Sequence, residues 1–334
     1  MPLSYDNNKQ GFAKYSEAEL ILTAPRDWSK HELAELSLWF RGYLESASTL
    51  TEGPSGTYTM TARSGNIWGQ TDQLHYFFKQ LSGPGSIIAK VESVTNTSAG
   101  AKCGVMIREM LTADSKHAFV FMRPDGGVRF NRRIEVGDTT SNSVENGLEF
   151  PRWVKLERDV SGLFTASHSA DGVTWLPVDD TNMGTSTSVQ MNSVVYIGVA
   201  LSSNNTAETC EAVLSNIQVT GATTGKWQSR DIGILANAAE PLYVAVSNKA
   251  GTPAVVVHDD PAAAQNDTWT EWIIPLQAFA DQGINLADID RIAIGLGTRG
   301  NMTTPGGSGK MFFDDIRLYQ QRDVEDELTP VSVE

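Results

Sequence analysis

The stretch that decides the fold is the last strand-like run of the chain, Lys310-Met311-Phe312-Phe313-Asp314-Asp315-Ile316-Arg317-Leu318-Tyr319. It follows a glycine-rich turn, Pro305 to Gly309, and its side chains alternate with the period of a β-strand. One face carries Phe312, Asp314, Ile316 and Leu318, and the other carries Met311, Phe313, Asp315 and Arg317. An acidic pair inside such an apolar run costs free energy unless something compensates it. The run therefore predicts a strand whose two carboxylates need a partner.

Length and charge limit what the chain can be. Its 334 residues suit two domains, and shares of 40% hydrophobic and 8% aromatic residues are typical of a globular protein. The net charge of -14 argues against nucleic acid as a partner, because phosphates require clusters of Lys and Arg that the sequence lacks. No apolar run approaches the roughly 20 residues of a membrane span.

The start of the chain bears on where the protein acts. Met1-Pro2-Leu3-Ser4-Tyr5-Asp6 is not a signal peptide, since it lacks a basic start and an apolar centre. Sequences rich in Asn, Thr, Ser and Gly, with few Lys, nevertheless tend to belong to β proteins outside the cell. We therefore expect an extracellular or cell-surface protein whose signal peptide has been trimmed from this chain.

Short alternating segments separated by turns run along most of the sequence. Strands are predicted at residues 15–22, 33–43, 57–62, 74–81, 86–94, 102–110, 117–122, 128–134, 153–159, 163–169, 173–178, 194–202, 209–220, 242–247, 254–257, 270–275, 291–296 and 310–319, with one short helix at 276–281. The predicted fold class is all-β, with two antiparallel β-sandwiches of jelly-roll type, one inserted into the other.

The domain order follows from the strand count at the two ends of the chain. The first 43 residues contain two predicted strands, which cannot form a core by themselves. The segment after the linker Gly221 to Lys226 also has too few strands for a complete sandwich. We therefore predict a discontinuous outer domain, residues 1–52 and 223–334, and an inserted domain, residues 53–222. In this arrangement the last strand pairs near Tyr15 to Leu22.

Two cysteines, Cys103 and Cys210, each lie in a strand-like run. Buried free thiols are one interpretation, because Cys often serves as a small apolar residue. A disulfide between neighbouring strands is the other, and it fits an oxidising compartment.

The two ends of the chain carry a set of short motifs with a recognisable pattern. They are Tyr15-Ser16-Glu17-Ala18-Glu19, Asp27-Trp28, Leu36-Ser37-Leu38-Trp39-Phe40, Leu242-Tyr243-Val244-Ala245-Val246, Trp269-Thr270-Glu271-Trp272, Ile294-Gly295-Leu296-Gly297 and Phe313-Asp314-Asp315-Ile316. These motifs resemble those of galactose-binding-like jelly rolls, which serve as carbohydrate-binding modules in large secreted bacterial proteins.

The middle of the chain carries a second set of motifs. They are Gly104-Val105-Met106-Ile107-Arg108-Glu109, Ser115-Lys116-His117-Ala118, Trp153-Val154-Lys155-Leu156, Ser169-Ala170-Asp171-Gly172-Val173-Thr174-Trp175 and Tyr196-Ile197-Gly198. They resemble concanavalin A-like sandwiches of the type called regulation of enolase protein 1-like. Such proteins are mostly attached modules without an assigned reaction, so the resemblance is specific for fold and weak for function.

The jelly-roll resemblance implies a structural calcium ion as cofactor. Its ligands would be Asp314 or Asp315, with Glu17 or Glu19 as the second carboxylate, among the about six to eight oxygens that calcium requires. Related jelly rolls also carry an upstream strand with a further acidic ligand, which this chain begins too late to supply. The alternative is one solvated aspartate and one that accepts amide hydrogen bonds.

No catalytic residues are predicted. Glycoside hydrolysis needs two carboxylates that face the same sugar, and the inserted domain has no Glu-x-Asp-x-Glu string. Glu17-Ala18-Glu19 has the right alternation but nothing to pair against. The five histidines lie outside any Gly-x-Ser-x-Gly or zinc-spaced motif.

Ligand binding is easier to support, because sugar faces stack on exposed aromatic rings while polar groups bind the hydroxyls. The candidate ligand-binding residues are Trp68, Tyr76, Arg108, Arg132 and Trp153, all in the inserted domain. For each ring a core position is the competing interpretation, and Arg108 would otherwise pair with Glu109 or Glu157.

The tryptophans of the outer domain are expected to be structural. Trp39, Trp269 and Trp272 are predicted to lie in its core, with Trp28 as the exception.

These observations predict a non-catalytic glycan-binding or adhesive module of a larger secreted bacterial protein. Its partners would be a polysaccharide or glycoconjugate and other domains of the larger chain. The first alternative is a polysaccharide-degrading enzyme, a glycoside hydrolase or lyase, whose carboxylates come together only in the fold. The second alternative is a structural surface or matrix protein, which has no sugar pocket.

Overall fold

Antiparallel β-strands form nearly all of the regular structure in the computed structural model, which describes residues 1–178 and 186–322. The strands are β1 (Pro2–Asp6), β2 (Tyr15–Arg26), β3 (Leu33–Arg41), β4 (Thr49–Glu52), β5 (Thr57–Ser64), β6 (Ile67–Trp68), β7 (Thr71–Asp72), β8 (Leu74–Val94), β9 (Lys102–Arg108), β10 (His117–Met122), β11 (Val128–Arg133), β12 (Ser141–Glu145), β13 (Arg152–Arg158), β14 (Leu163–Ser169), β15 (Leu176–Pro177), β16 (Ser186–Ser188), β17 (Val194–Ser202), β18 (Asn205–Ile232), β19 (Leu242–Ser247), β20 (Ala254–Val257), β21 (Thr270–Pro275), β22 (Ile289–Gly297) and β23 (Ser308–Gln320).

Helical structure is sparse in the described residues. It consists of α1 (Gln277–Ala280) and of 3-10 turns at Pro54–Gly56, Ala263–Gln265 and Leu286–Asp288. Within this part of the chain, no helix has the length and apolar character needed to cross a membrane. The predicted all-β class with two sandwiches is confirmed.

The chain divides into two compact units whose boundaries differ from the predicted ones. The outer unit is Met1–Glu45 with Leu235–Glu334, and the inserted unit is Ser46–Ile234. Strand β4 pairs with β5 and so belongs to the inserted unit. Strand β18 continues alongside β8 as far as Ile232. The predicted linker at Gly221 to Lys226 is therefore part of a strand, because its backbone pairing continues past the glycines.

The outer unit is a sandwich of two four-stranded sheets. One sheet has the order β1-β23-β3-β21, the other has the order β2-β22-β19-β20, and all neighbouring strands are antiparallel. Alternate positions along strands of both sheets supply one shared apolar core. Its members include Leu36, Leu38, Phe40, Leu242, Val244, Val246, Ile294, Leu296, Met311 and Phe313.

The last strand closes this sandwich with partners other than the predicted ones. Strand β23 lies between β1 and β3, so Met311 is opposite Leu3 and Phe313 is opposite Phe40. The predicted partner segment is in β2, which pairs with β22 in the other sheet. The sequence pattern does not indicate β1, because Leu3 and Tyr5 are only two alternating apolar positions. The chain thus does supply a strand upstream of Tyr15, contrary to expectation.

A β-bulge in β23 decides where its two carboxylates point. Asp314 is opposite Trp39 and Arg317 is opposite Ser37, so β23 has one more residue than β3 over this interval. At the extra position Asp315 has a φ of 51°, a left-handed conformation that Asp tolerates better than most residues. Met311 and Phe313 before the bulge are buried, whereas Asp314, Asp315 and Ile316 are exposed. The bulge therefore keeps both carboxylates out of the core.

The inserted unit is a second sandwich, and long strands take part in both of its layers. Residues 75–82 of β8 pair with β17, and residues 85–91 pair with β13. Gly83 lies between these halves with a φ of 73°, and a Cβ on Gly85 would lie 2.5 Å from the Thr220 carbonyl oxygen. Glycines therefore let β8 bend where it changes partner. Strand β18 runs beside β5 and β8.

The inserted unit has apolar clusters on both faces of one layer. The larger cluster takes alternate residues such as Val105, Val120 and Val199. A second cluster uses the intervening positions and includes Ile67, Leu74, Tyr76, Phe78, Met106, Phe119, Phe121, Ala200 and Ile232. Ile67 belongs to the hairpin β6–β7. This face of the layer is therefore covered by the chain's own side chains.

Both cysteines are free thiols buried in the larger cluster of the inserted unit. Burial raises the pKa of the Cys210 thiol to about 11, and burial also raises the pKa of the Cys103 thiol well above its ordinary value. Of the two interpretations offered by the sequence, the structure has the buried free thiols.

Phe313 and Phe312 provide a matched test of the register of β23. Phe313→Ala removes a ring that is 1% exposed, and it should lower the free energy of unfolding of the outer unit by about 3–5 kcal/mol. Phe312→Ala on the opposite side of the strand should lower it by about 1 kcal/mol or less. Hydrogen exchange on outer-unit peptides in increasing urea measures both values. Equal losses would contradict the register.

Candidate functional site

The solvent side of the sheet β1-β23-β3-β21 exposes two large aromatic rings. Trp39 is 37% exposed and Trp269 is 45% exposed. Trp39 alternates with the buried Leu38 and Phe40 of β3, so its side chain points outward. Trp269 precedes β21, the edge strand beside β3. One ring thus lies in β3, and the other lies next to the first residue of the neighbouring strand β21.

These two rings and the two aspartates of the bulge line one depression. Its volume is about 310 Å³, and its lining side chains are Trp39, Trp269, Asp314 and Asp315. Because Asp314 is directly opposite Trp39, their Cβ atoms are about 5 Å apart. Strand spacing places β23 and β21, on either side of β3, about 10 Å apart. We call this surface the tryptophan face.

The two carboxylates of the tryptophan face differ in their contacts. The Asp315 carboxylate pairs with Arg317, with Nη2 2.5 Å from Oδ1. Asp314 Oδ1 accepts a hydrogen bond from the Asp315 backbone N–H at 2.9 Å. Among the described Lys, Arg and His side chains, none forms a salt bridge with Asp314. The exposed carboxylate of Asp314 is therefore available to a ligand.

Paired charges occupy the rest of this side of the sheet. Arg322 pairs with Glu35 at 3.1 Å and with Glu271 at 2.8 Å, and Ser37 Oγ donates to Glu271 at 2.5 Å. The hydrogen bond from Ser37 and the pairing with Arg322 hold the pKa of Glu271 below its ordinary value. The Arg41 guanidinium lies over the Trp269 ring, 5.6 Å from its centroid. The carboxylates of Glu35 and Glu271 therefore already have ion-pair and hydrogen-bond partners within the chain.

The structure reverses the predicted roles of the outer tryptophans. Trp39 and Trp269, predicted to be core, are exposed, whereas Trp28, predicted to be the exception, is 7% exposed and lies in the core. Trp272 packs against the core as expected. The signal for Trp39 was in the sequence, because Leu36, Leu38 and Phe40 already fill the inward positions of its strand.

The four carboxylates proposed for calcium do not come together. Asp314 and Asp315 are in β23, whereas Glu17 and Glu19 are in β2, a strand of the other sheet. Glu17 accepts hydrogen bonds from Arg299 Nε at 2.6 Å and from Tyr243 Oη at 2.8 Å. Glu19 lies 3.9 Å from Arg291.

Too few oxygens remain for the predicted calcium site. Two aspartates supply fewer than the about six to eight oxygens that calcium prefers, and one of them pairs with Arg317. Among the described residues, no group of three or more His, Cys, Asp or Glu side chains is placed to hold a metal ion. The residues at β23 therefore do not fit a structural calcium site.

The ligand candidates of the inserted unit have mixed positions. Trp68 is 41% exposed in the hairpin β6–β7. Tyr76 is fully buried, and its hydroxyl donates to the backbone oxygens of Met106 and Tyr196 at 3.0 and 2.9 Å. Arg108 is also fully buried, and its Nε donates to the Met110 carbonyl at 2.7 Å. Neither Tyr76 nor Arg108 presents surface to a ligand.

Arg132 and Trp153 are engaged within the inserted unit as well. Arg132 is 1% exposed, donates to Ser143 Oγ at 2.8 Å and lies 4.9 Å from the Phe130 ring centroid. Trp153 is half-buried, and a Cβ on Gly172 would lie 2.8 Å from its ring. The Trp153 ring therefore packs against the Asp171-Gly172 turn. Trp68 is the candidate of this unit that is left exposed.

Arg108 belongs to a fully buried charge cluster that the sequence does not indicate. Arg133 donates to both Asp72 oxygens at 2.7 and 2.8 Å, Arg108 Nη2 lies 3.6 Å from Asp72, and His117 Nδ1 lies 3.3 Å from it. Burial would raise the pKa of Asp72, but His117, Arg133 and Arg108 outweigh burial and hold it at about 2. Glu109 and Glu157, the predicted partners of Arg108, are not in this cluster.

The cluster and its neighbours hold the hairpin β6–β7 against the sheet through hydrogen bonds. Arg133 also donates to the Gly69 carbonyl at 2.9 Å, and Asn131 Nδ2 donates to the Ile67 carbonyl at 3.2 Å. The Asp72 backbone N–H donates to the Ala113 carbonyl at 2.9 Å. Its role is thus structural, because no side chain of the cluster reaches solvent.

Comparisons with known proteins identify no family. No protein-family description matches the sequence, and no curated protein matches it. A protein of unknown function from Saccharomyces cerevisiae is similar in structure, with 15% identity over 53% of this chain and 97% of that one and a TM-score of 0.41. A protein of unknown function from Shewanella oneidensis MR-1 shows 10% identity, 64% and 90% coverage and a TM-score of 0.33. An alginate lyase shows 10% identity, 55% and 95% coverage and a TM-score of 0.27. Similarities this low carry no argument about what the chain does.

Asp72→Asn tests the buried cluster. Neutralising Asp72 removes the carboxylate that the buried Arg108 and Arg133 share, which should lower the free energy of unfolding of the inserted unit by about 3–5 kcal/mol. The control is Glu157→Gln, which removes a pair with Lys155 in which the Glu157 side chain is 46% exposed, and it should change stability by about 0.5 kcal/mol or less. Urea unfolding measures both variants. Similar values would contradict the structural role of the cluster.

Proposed function

We propose that this protein is a non-catalytic glycan-binding module and that the tryptophan face of its outer unit is the binding surface. The observation that carries the proposal is the depression in which Trp39 and Trp269 lie beside Asp314 and Asp315. Exposed rings of this size on one face are typical of a surface that meets a partner. Hydroxyl-rich ligands suit it, because sugar rings have apolar faces for the indoles and hydroxyls for the carboxylates.

The fixed geometry of the face supports this proposal. Trp39 lies within β3, and strands hold side chains more precisely than loops do. Trp269 immediately precedes the first residue of the adjacent strand β21. The ion pairs of Arg322 with Glu35 and Glu271 fix the neighbouring strands β3 and β21 from the solvent side. Arg41 lies over Trp269 and restricts that ring. A preformed platform loses less conformational entropy when a ligand binds.

A polysaccharide-degrading enzyme is the alternative against which the proposal is tested. Hydrolysis of a glycosidic bond requires two carboxyl groups that flank the bond from two sides. Asp314 and Asp315 are consecutive residues on one strand of the depression. Their arrangement therefore favours binding over hydrolysis. A structural matrix protein, the other alternative, would not require a depression with two exposed tryptophans.

We further propose that the module acts outside the cell or at its surface, as part of a larger secreted protein. The sequence composition supports this setting, and so does a polysaccharide ligand.

Single substitutions of the two rings test the proposal. In affinity gels cast with a broad panel of polysaccharides, we expect the wild-type chain to be retarded by at least one. Trp39→Ala and Trp269→Ala should each weaken that binding by about tenfold or more, because each removes a stacking surface. Both side chains are exposed, so neither variant should unfold, and circular dichroism checks this.

Trp68→Ala serves as the matched control, since Trp68 is the exposed tryptophan candidate of the inserted unit. It should leave binding unchanged. Loss of binding in Trp68→Ala alone would place the site in the inserted unit, as the sequence predicted. Absence of binding across the whole panel would reject the proposal, and release of new reducing ends from any bound glycan would replace it with the enzyme.

A further inference from the structure

We infer that the tryptophan face selects sugar units that carry a protonated amine, such as the glucosamine of a de-acetylated polysaccharide, over neutral and acidic sugars. This inference rests on the proposed function, because it names the ligand class of the same depression. It follows from the charge and the contacts of the groups that line the site.

The lining of the depression combines aromatic rings with negative charge. Two indoles and two carboxylates form it, and no basic side chain of the described residues lines it. A cation is attracted both to the face of an indole ring and to a carboxylate. A sugar carboxylate would instead meet like charge, which costs free energy at a short distance.

Asp314 is the carboxylate of the depression that can still accept hydrogen bonds and pair with a cation. Its neighbour Asp315 is neutralised by Arg317 at 2.5 Å. Asp314 accepts one hydrogen bond, from the Asp315 backbone N–H at 2.9 Å. Directly opposite Asp314 lies Trp39, so an ammonium group bound to this carboxylate would also lie near an indole ring.

The basic groups nearest to the depression contact aromatic rings or carboxylates of this chain. The Arg41 guanidinium lies over the Phe312 ring at 5.2 Å and over the Trp269 ring at 5.6 Å from their centroids. The Lys310 ammonium lies over the Phe312 ring at 5.3 Å from its centroid. Arg322 is held by Glu35 and Glu271. Arg41 therefore already occupies the Trp269 ring, and the charge that faces a ligand beside Trp39 is the charge of Asp314.

Two polymers that differ only in the amine test this inference. Calorimetric titration of the full chain would use glucosamine oligosaccharides and their N-acetylated counterparts of equal length, in mildly acidic buffer that keeps the amine protonated. We expect the glucosamine oligosaccharides to bind about tenfold more tightly, the effect of one charge-assisted hydrogen bond. Added salt should reduce this difference. Alginate oligosaccharides, which carry carboxylates, should bind more weakly than both.

Asp314→Asn is the decisive variant, because it removes the charge and keeps the shape. It should abolish the preference for the amine and leave binding of the N-acetylated oligosaccharide unchanged. Asp259→Asn is the matched control, since Asp259 is also exposed in the outer unit and does not line the depression; it should leave the preference intact.

The possible results separate this inference from the proposed function. Equal or tighter binding of the N-acetylated polymer overturns the inference, and so does an amine preference that persists in Asp314→Asn. If another polysaccharide still binds and Trp39→Ala abolishes that binding, the proposed function stands without the inference. If no glycan binds at all, both are wrong.

Discussion

The outer unit depends on strand β23, in which the need for regular backbone pairing conflicts with the need to keep charged side chains out of the core. Strand β23 is paired on both edges, by β1 and by β3, and its inward positions must be apolar. With strict alternation after Met311 and Phe313, the next two inward residues would be Asp315 and Arg317, which would place a charged pair inside the core at a large cost. The bulge shifts the alternation by one residue. Leu318 then lies opposite the buried Leu36, and the carboxylates are exposed to solvent.

The same bulge creates the candidate site. By placing Asp314 and Asp315 consecutively on the solvent side, it sets two carboxylates beside the outward Trp39 of the next strand. A regular strand would direct these two side chains to opposite faces of the sheet. The feature that protects the core is therefore also the feature that concentrates negative charge next to exposed indoles. One extra residue thus both protects the core and shapes the surface that we propose for binding.

The strands could be predicted from the sequence, but their partners could not. Alternation and turn residues mark strands such as those at Leu33 and Lys310 because they are local signals. Pairing of β23 with β1 joins residues about 300 positions apart, and no local signal records it. The exposure of Trp39 could be predicted from its place between Leu38 and Phe40. The bulge could not, because Asp315 gives no sign that the alternation shifts there.

The structure of the inserted unit shows why a predicted ligand-binding residue such as Arg108 is buried. A buried guanidinium needs a counter-charge, and the sequence around Arg108 does not show one. An arginine in such a position is therefore expected to be exposed and free to bind a ligand. That counter-charge is Asp72, the last residue of β7 in the hairpin β6–β7, and it contacts Arg133 only in the folded chain. Once the hairpin is fastened, it occupies the face on which a ligand could bind. One carboxylate thus contacts both Arg108 and Arg133 in the interior of the inserted unit, and this burial is one reason why we propose the exposed aromatic platform of the outer unit as the binding surface.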